Sequence, residues 1–539
     1  IRAGRWTLTA SGSGSFTPVA QSRFTETRGQ AGQPLPFAGR SDSKSRTNYG
    51  RGHFSAVFDP TPKHTAGFDI EYTERSTHMP TLSHTTLGQT QSDSRYRQHM
   101  GGNTLTATAN YIWKIDTLGS QFKLIADYTR YTSHGDNSYH TTTCTPGTLR
   151  DSLYESSTGS VYDILTADAG LTRKLSHGLT LRAGLRYTRN GMADDSRYAA
   201  QMQGTWQALP EYGYDQHYTE QIGAAYASLE YSAGRWELSA GLRGEYTSVA
   251  SQAFGRSYFG LFPNVSVSRA LNALRTWLLV AQWSRNIERP AFPALNPARI
   301  RISDYSWQSG NPSLRPTYIH RFSLTAVWKY RYTLTVGGNL HHDLIREIAH
   351  RDATDPDAVY IRPENHYTEN HWFVAASVPA KITRWWNLSV NAVGVMQRIR
   401  LNSTDSPATH YLMFADATCS FTLPAGFFAE AAYRAQSRLY SGNSEVGPRH
   451  TLSATVKKQL FGKRLTLFCT LSNITGCDWE FASLTDGMRR TIDARQAWSG
   501  RLWKAGAAWN FRAGKKFRAR TVESAAETQR KRLVKSTEQ

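Results

Sequence analysis

Histidine is the side chain of this sequence best suited to hold a metal ion or haem, because a neutral imidazole nitrogen is a strong ligand. Histidine is concentrated in two stretches that flank the loop at 345–365. They are "LHHDLIREIAH", with His341, His342 and His350, and "ENHYTENHW", with His366 and His371. No two of these have the spacing of a known metal site. Because 17 histidines in 539 residues produce such pairs by chance, we interpret them as surface loop residues. We predict no metal site and no cofactor.

Covalent catalysis would need a nucleophile beside a base. No Ser/His stretch stands out from a background rich in both residues, so we predict no catalytic residues and no enzyme. The four cysteines have no metal-ligand spacing. Cys419 and Cys469 lie in strand-like runs, whereas Cys144 and Cys477 lie in or beside loops. Isolated thiols and a disulfide between the two loop cysteines both remain open.

Arginine dominates the charge. The net charge is +21, and the tail from Arg512 to Gln539 contributes nine Lys/Arg against three Glu, which is +6 of that total. A basic protein raises nucleic acid as a partner. However, no finger, helix-turn-helix or RNP-like motif is visible, and the other arginines are scattered. We therefore predict no nucleic-acid partner.

One loop, residues 288–315, combines basic and aromatic side chains with few acids. Arginine offers a planar fork for carboxylate or catecholate oxygens, and aromatic rings offer stacking surfaces. We predict ligand contacts from Arg299, Arg301, Tyr305 and Trp307, at least two of them facing the axis of the molecule. Within "GNPSLRP", Pro312 and Pro316 stiffen the loop and Gly310 is expected to permit an unusual φ. A loop that only folds over the rim and pairs with lipopolysaccharide is the alternative.

The residues that follow this loop show what positions it. In "TYIHRFSLTAVW" the side chains alternate, and we predict that Phe322, Leu324, Ala326 and Trp328 point outward, with Arg321, Ser323 and Thr325 inward. The same period of two recurs along nearly the whole chain, in runs of 10–15 residues with charges in mid-strand and aromatics near the ends. A membrane-spanning strand needs about 9–11 tilted residues, an apolar lipid face and aromatic girdles. The apolar face of each strand is therefore predicted to contact lipid.

About 20 such strands can be counted, and their connections alternate between short turns and long loops, the latter including roughly 16–46, 76–97 and 134–158. Short periplasmic turns and long extracellular loops are typical of outer-membrane barrels, in which closure leaves no unpaired edge. No run of 18 apolar residues is present. We predict an all-β transmembrane antiparallel barrel over residues 1–512 and a basic periplasmic tail over 513–539, disordered or a short helix near 522–533. The polar side chains predicted to line the lumen are Arg182, Arg186, Arg243, Glu245, Arg321, Arg434 and Arg438.

Two motifs carry a resemblance. "RNIERPAFPALNPARIRISDYSWQSGNPSLRP" (285–316) resembles a motif of TonB-dependent outer-membrane receptors, and "LSNITG" (471–476) resembles a segment near the end of the same barrels. The basic tail is similar to that of a Bacteroidetes outer-membrane β-barrel subgroup. The resemblance implies an N-terminal plug and 22 strands. Since the turn "RAGR" precedes the first strand, we expect the plug and two strands to be missing, and the edges at 4–15 and 497–512 to be neighbours with a gap or forced together.

This resemblance implies active uptake of a scarce small-molecule or oligomeric nutrient, siderophore-, glycan- or peptide-like, across the Gram-negative outer membrane. The expected partners are outer-membrane lipid, lipopolysaccharide and, through a plug not present in this chain, the TonB complex. Mechanistically this is loop capture and gated transport without covalent chemistry. A passive channel and a barrel-anchored binding or adhesion protein are the alternatives.

Overall fold

The computed structural model describes residues 2–17, 19–30, 32–176, 178–252, 254–353, 355–476, 478–496, 500–511 and 522–533. Its described strands all belong to one sheet. In chain order they are β1 (Arg2–Ala3), β2 (Trp6–Phe16), β3 (Ala20–Gln30), β4 (Gln33–Thr61), β5 (His64–Leu87), β6 (Thr90–Lys114), β7 (Gln121–Thr145), β8 (Thr148–Ser176), β9 (Leu179–Met202), β10 (Thr205–Ala208), β11 (Tyr214–Ala233), β12 (Trp236–Ser251), β13 (Gly255–Ala270), β14 (Trp277–Glu288), β15 (Ile300–Ser303), β16 (Ser306–Gln308), β17 (Thr317–Trp328), β18 (Tyr332–Arg351), β19 (Val359–Lys381), β20 (Trp386–Arg400), β21 (Ala408–Leu423), β22 (Phe427–Gln436), β23 (Leu439–Ser441), β24 (Ser444–Val446), β25 (Arg449–Leu460), β26 (Leu465–Ser472), β27 (Trp479–Thr485), β28 (Met488–Arg495) and β29 (Leu502–Trp509).

Twenty of these strands form the wall, each antiparallel to its neighbours and adjacent to them in chain order: β2, β4–β9, β11–β14, β17–β22, β25, β26 and β29. The prediction of an all-β antiparallel barrel is confirmed. Helices are few and short: α1 (Phe292–Leu295), α2 (Glu527–Arg530) and three 3₁₀ turns at Pro210–Tyr212, Pro424–Gly426 and Lys531–Leu533. Within the described residues, none of these helices has the length and apolar character that crossing a membrane requires.

The two faces of β17 differ as predicted. On β17, Phe322, Leu324 and Trp328 are exposed on the outer face, whereas Thr317 and Ile319 on the other face are buried. Aromatic rings pair across neighbouring strands beside the short turns and form a girdle at that end. Three such pairs are Trp6 with Phe58 at 4.5 Å, Trp277 with Trp328 at 5.6 Å and Phe461 with Trp509 at 5.9 Å between ring centroids.

The long loops hold more strand than the sequence suggested. We predicted loops over 76–97 and 134–158, but β5 continues to Leu87 and β7 to Thr145, and each turns directly into the next strand. The ladder from Gln91↔Cys144 to Lys114↔Gln121 is unbroken. Threonine and serine alternate with charged residues there, and such β-branched and hydroxyl side chains suit an extended, half-buried hairpin.

The two ends of the wall do not pair within the described residues: β29 pairs with β26, and β2 with β1 and β4. At the end that bears the long loops, however, β28 pairs with β3 from Met488↔Gln30 to Arg495↔Arg23. The hairpins β3–β4 and β27–β28, from opposite ends of the chain, therefore pair with each other beyond the wall, where β2 and β29 do not. Whether Cys144 is an isolated thiol or pairs with Cys477 stays open, because Cys477 lies outside the described residues.

Part of the lumen is filled by the chain itself. Residues 289–316, named the inner loop here, fold inward, and Phe292, Leu295 and Leu314 are buried against the inward side chains of the wall. These wall side chains are Tyr162, Ile164, Met192, Tyr218 and Val249. Leu533 of the tail packs on the same cluster. Residues 522–533 thus lie in the lumen rather than beyond the short turns, where we expected the tail; the compartment of the remaining tail stays a prediction.

Candidate functional site

The inner loop is held in shape by its own sequence. Gly310 donates its backbone N–H to Asn296 O at 2.8 Å, and Asn311 donates to Ala294 O at 2.7 Å. A Cβ on Gly310 would lie 2.1 Å from Asn296 O, although the residue has no left-handed φ. Our expectation of an unusual φ was wrong: glycine is required here because two backbone segments approach each other closely.

The same motif fastens the loop to the wall. Asn311 Nδ2 donates to Pro363 O at 3.0 Å, and Arg315 Nη2 donates to Asp343 at 2.6 Å. Asn365 completes the anchor by accepting from Arg315 N and donating to Arg315 O, both at 2.9 Å. The predicted stiff entry into β17 is therefore present, and hydrogen bonds supply it along with the prolines.

Arg301 lies among aromatic rings near the long-loop end of the lumen. Its guanidinium carbon is 5.4 Å from the ring centroid of Trp307 and 5.9 Å from those of Tyr96 and Tyr139. Its Nη2 donates to Asp304 at 2.9 Å. Planar, weakly hydrated guanidinium groups suit such faces. The structure thus brings together Arg301 and Trp307, two of the four predicted ligand residues.

Asp304 connects this group to the wall. Its carboxylate accepts from Ser94 Oγ at 2.8 Å and from the Tyr96 hydroxyl at 2.5 Å, besides Arg301. Since this carboxylate balances the charge of Arg301 and uses hydroxyls of β6, it fixes strand β15 and its arginine against one side of the barrel. From the sequence, Asp304 was counted only among the few acidic residues of this loop.

The remaining two predicted residues have other surroundings. Arg299 has an exposed side chain, and its backbone oxygen accepts from the Tyr198 hydroxyl. The ring of Tyr305 lies edge-on to Phe37 at 5.7 Å, and burial raises the pKa of its hydroxyl. Strand β16, which contains Trp307, adds in parallel to β19 through the pairs Ser306↔Val359 to Gln308↔Ile361. The inner loop therefore reaches from the β6 side of the lumen to the β19 side.

A cavity of ≈ 540 Å³, named the mouth cavity here, lies between the inner loop and the inward faces of β3 to β6 and β28. Strand β15 with Arg301 forms one side, and Glu26, Phe37 and Arg490 form another. A second cavity of ≈ 350 Å³ lies on the other side of the inner loop, which separates the two. Seven of the other residues that line the mouth cavity are serines or threonines of β3, β4 and β5: Ser22, Ser41, Ser43, Ser45, Thr81, Ser83 and Thr85.

The mouth is closed on one side by a buried ion cluster, the mouth cluster, made of Glu26, Arg28 and Arg490. Arg28 Nε and Arg490 Nη2 donate to the two carboxylate oxygens of Glu26 at 2.9 and 2.8 Å. Burial opposes ionisation of Glu26, but Arg490 and Arg28 outweigh it and hold the pKa of this carboxyl below its ordinary value. Arg490 also donates to Ser306 Oγ at 2.7 Å, and Arg28 donates to the backbone oxygen of Asp357. The cluster thus joins four loops.

Sequence reasoning did not name the hydroxyls or this cluster. The signal was nevertheless present, since Ser41, Ser43 and Ser45 alternate with Arg40, Asp42 and Lys44, and Thr81, Ser83 and Thr85 follow the same period. Reading 16–46 and 76–97 as irregular loops hid that alternation. Nothing in the sequence indicated that Arg490 would meet Glu26, 464 residues away.

Most residues predicted to line the lumen lie on the inward face with compensating charges. Arg182 donates to Glu230 at 2.8 Å, Arg186 to Asp168 at 2.7 Å and Arg243 to Glu245 at 2.5 Å. Arg182 and Arg186 share their face of β9 with Asn190, which contacts the tail segment. Arg321 lies on the Ile319 face of β17, and Arg434 is a register partner of Asp416. Arg438 follows β22 in a loop, where it donates to Glu445 at 2.9 Å.

The interpretation of the five histidines as loop residues was wrong: they lie in strands β18 (His341, His342 and His350) and β19 (His366 and His371). His366 is buried, and His371 Nε2 lies 2.8 Å from the carboxylate of Glu369, which is fully buried. Arg346 and Gln397 also donate to Glu369, at 2.9 and 2.8 Å. In the part of the chain that the structure describes, no group of three or more His, Cys, Asp or Glu residues is placed to hold a metal ion.

Comparisons with known proteins agree with this architecture. The family model described as the Outer membrane protein beta-barrel family matches residues 113–503. Among solved structures, the "Copper transporter OprC" has a TM-score of 0.55 at 10% identity, covering 89% of this chain and 81% of that one. The ferric-catecholate import receptor Fiu from K12 E. coli has a TM-score of 0.51 at 9% identity, covering 89% and 82%.

The FpvAI protein in complex with pyocin S2 has a TM-score of 0.54 at 10% identity, covering 88% of this chain and 70% of that one. A comparison with curated protein sequences finds no match. At identities near these, a structural likeness shows the fold, and the family model supplies the relationship. The chain therefore belongs to the outer membrane protein beta-barrel family and resides in the Gram-negative outer membrane.

Proposed function

We propose that this chain is the barrel of a TonB-dependent receptor that captures a scarce nutrient in the mouth cavity and passes it inward by gated transport. The single observation that supports this most is the inner loop, whose buried Phe292, Leu295 and Leu314 cross the lumen beneath a polar cavity. A capture site above a closed passage is the arrangement that gated uptake needs. TonB coupling through a plug, contact with lipopolysaccharide and the Bacteroidetes origin are parts of the same proposal.

The lining of the mouth cavity favours an oxygen-rich, anionic ligand. Asp304 balances the charge of Arg301, but the mouth cluster has two arginines against one glutamate and so carries one net positive charge. The serine and threonine hydroxyls of the cavity donate and accept hydrogen bonds. A ferric siderophore, an acidic glycan or an acidic peptide meets that description. Arg301 lines the cavity and is proposed to contribute charge. Trp307, whose ring centroid lies 5.4 Å from the Arg301 guanidinium carbon, is proposed to contribute a stacking face, and Tyr305 and Arg299 are proposed as further contacts.

A passive channel is the weaker alternative because the inner loop packs on inward side chains of the wall and fills part of the lumen. A binding or adhesion platform would share the capture site but would not move the ligand. The two are distinguished by whether bound ligand is later released inside sealed cells. Ligand trapped permanently at the cell surface, with TonB intact, favours the platform.

The test measures the binding of three probes to the purified, refolded barrel, with tryptophan fluorescence as the readout. The probes are a ferric catecholate, an acidic oligosaccharide and an acidic peptide. We expect one probe to bind and the double variant Arg301→Ala/Trp307→Ala to bind it about tenfold or more weakly, because one charge-assisted hydrogen bond contributes about 1.5–3 kcal/mol. The matched control, Arg95→Ala/Trp206→Ala, removes the same residue types from exposed positions. Equal binding by both double variants, each shown to be folded by heat-modifiable gel mobility, would contradict the assignment of this site.

A further inference from the structure

Residues 522–533, "VESAAETQRKRL", form a short ordered segment inside the lumen, named the lumenal segment here. Helix α2 (Glu527–Arg530) runs into the 3₁₀ turn Lys531–Leu533. A free peptide of this length and charge would not be a stable helix in water. Contacts with the barrel must therefore account for its conformation.

The first half of the lumenal segment contacts inward residues near the short-turn end of the wall. Lys123 Nζ donates to both carboxylate oxygens of Glu523, at 2.7 and 2.8 Å. The backbone N–H of Ala525 donates to the buried carboxylate of Asp127 at 2.7 Å. A Cβ on Gly67 would approach Val522 to 2.9 Å, so the wall is indented where the segment passes.

The second half ends on a buried arginine. Arg532 Nη1 donates to the Glu220 carboxylate at 2.5 Å, and its Nε donates to Pro290 O of the inner loop at 3.0 Å. Its guanidinium carbon lies 4.3 Å from the ring centroid of Phe292. One side chain thus contacts a wall strand and two residues of the inner loop.

Charge balance explains why an arginine occupies this position. Glu220 and Glu245 are buried on the inward faces of β11 and β12, and Arg289 donates to Glu245 at 2.7 Å but lies 3.8 Å from Glu220. Without Arg532, Glu220 would keep two neutral donors, the Asn190 amide at 2.8 Å and the Tyr218 hydroxyl at 3.4 Å, and a cation at 3.8 Å. Isolated buried charge is costly, so the pocket selects a second guanidinium.

The recognition is specific to one of three consecutive basic residues. Lys531 is largely exposed and pairs with Glu527 within the segment at 3.2 Å, and Arg530 donates to Ser524 of the same segment. Gln529 adds a second contact with the wall, since its side-chain oxygen accepts from Asn190 at 3.3 Å and from Arg532 at 2.9 Å. A general attraction of a basic tail to an acidic lumen would not produce this selection.

We propose that the inward wall at Asp127, Asn190 and Glu220, together with the Pro290–Phe292 end of the inner loop, is a peptide-binding site whose occupant is this chain's own segment 522–533. Seated there, the segment narrows the lumen and holds the inner loop in its retracted position through Arg532. Leaving the site removes both restraints together. This inference does not depend on the nutrient or on uptake.

The position of the segment is tested by cross-linking in the full chain with its four native cysteines replaced by serine. Asn190→Cys with Gln529→Cys places two thiols where the native side chains touch, so mild oxidation is expected to join them in most folded molecules. The matched control, Arg189→Cys with Gln529→Cys, moves the wall thiol to the opposite face of β9 and is expected to remain unjoined. Equal joining in both pairs, or none in the first, would overturn the proposed site.

Its consequence is tested by single-channel conductance of the same full chain in planar bilayers, with no nutrient present. Arg532→Ala, and truncation before Val522, are expected to raise the mean conductance and the frequency of open events. Lys531→Ala removes an equal charge from a residue that does not contact the wall and is expected to leave both unchanged. Unchanged conductance in Arg532→Ala and in the truncated chain, or an equal rise in Lys531→Ala, would refute the restraint. Failure of probe binding at the mouth cavity would leave these results untouched, so the two proposals fail separately.

Discussion

Two buried glutamates of this barrel are each held by two arginines, and the surroundings of the two clusters differ. In the mouth cluster, Glu26 accepts from Arg28 and Arg490. In the lumen, Glu220 accepts from Arg532 and lies near Arg289; Glu220, Arg289, Arg532 and Glu245 are named the lumen cluster here. Both groups join chain segments that are hundreds of residues apart.

The difference is what else holds those segments. Strands β3 and β28, which carry the mouth cluster, are joined by eight register pairs of an antiparallel ladder. In its described residues 522–533, the lumenal segment forms no such ladder. Its backbone is joined to the barrel by the hydrogen bond from Ala525 N–H to the side chain of Asp127. Charges at the mouth therefore add to an existing sheet, whereas charges in the lumen are the principal restraint on position.

The largest effect is expected from Glu220→Ala, which leaves two buried guanidinium groups facing each other. Breaking a buried ion pair from one side costs about 3–5 kcal/mol. We expect the free energy of unfolding, measured by denaturant titration of the refolded barrel, to fall by that order. The control Glu230→Ala breaks the half-exposed pair with Arg182 and should cost about 1 kcal/mol or less. Similar losses in the two variants would show that the lumen cluster is not a distinct restraint.

A smaller and more local effect is expected at the mouth from Arg490→Ala. Glu26 keeps Arg28 and the β3–β28 ladder persists, so the loss should be near the value of a charged hydrogen bond, about 1.5–3 kcal/mol. Hydrogen exchange should report it as faster opening of residues 20–30 and 488–495, with β7–β8 unaffected. Arg489→Ala, which removes a half-exposed partner of Glu445, provides the neighbouring control. Accelerated exchange throughout the barrel would contradict a local role for the mouth cluster.

The smallest effect is the pH dependence of the same hairpins. The pKa of Glu26 is lowered in the folded protein from an ordinary value of 4.5. Stability from this carboxylate is therefore fully present above pH 4.5 and is lost as pH falls below it, through the folded pKa. Corrected hydrogen exchange of residues 20–30 should quicken over that acidic range, and Glu26→Gln should remove the dependence. A transition centred above pH 4.5 would assign the effect to another group.

Part of the candidate site could be predicted from the sequence, because residues close together in the chain form it. The motif at 285–316 predicted a stiff loop that enters β17, and the clustering of Arg301 with Trp307 followed from their presence in one loop. The partners that define their surroundings, Asp304 excepted, come from β6, β7 and β19. Sequence separation alone gives no measure of which of many tyrosines will meet Arg301.

What the sequence by itself determined is the wall. A period of two, long runs and terminal aromatics specify strands with one face in lipid, and neighbouring strands pair because unpaired backbone groups are costly there. Its local alternation even contains the hydroxyl lining of the mouth cavity.

Only the tertiary structure decided how the lumen is filled. The inward side chains of a barrel can contact water, a loop or a tail. The alternating pattern that specifies a strand is the same in all three cases. The inner loop folded inward because Phe292, Leu295 and Leu314 leave water there, and the lumenal segment lies beside it because Glu220 is buried and needs a cation. Both choices depend on the balance between desolvation and pairing across the whole barrel, which no single stretch of the chain contains.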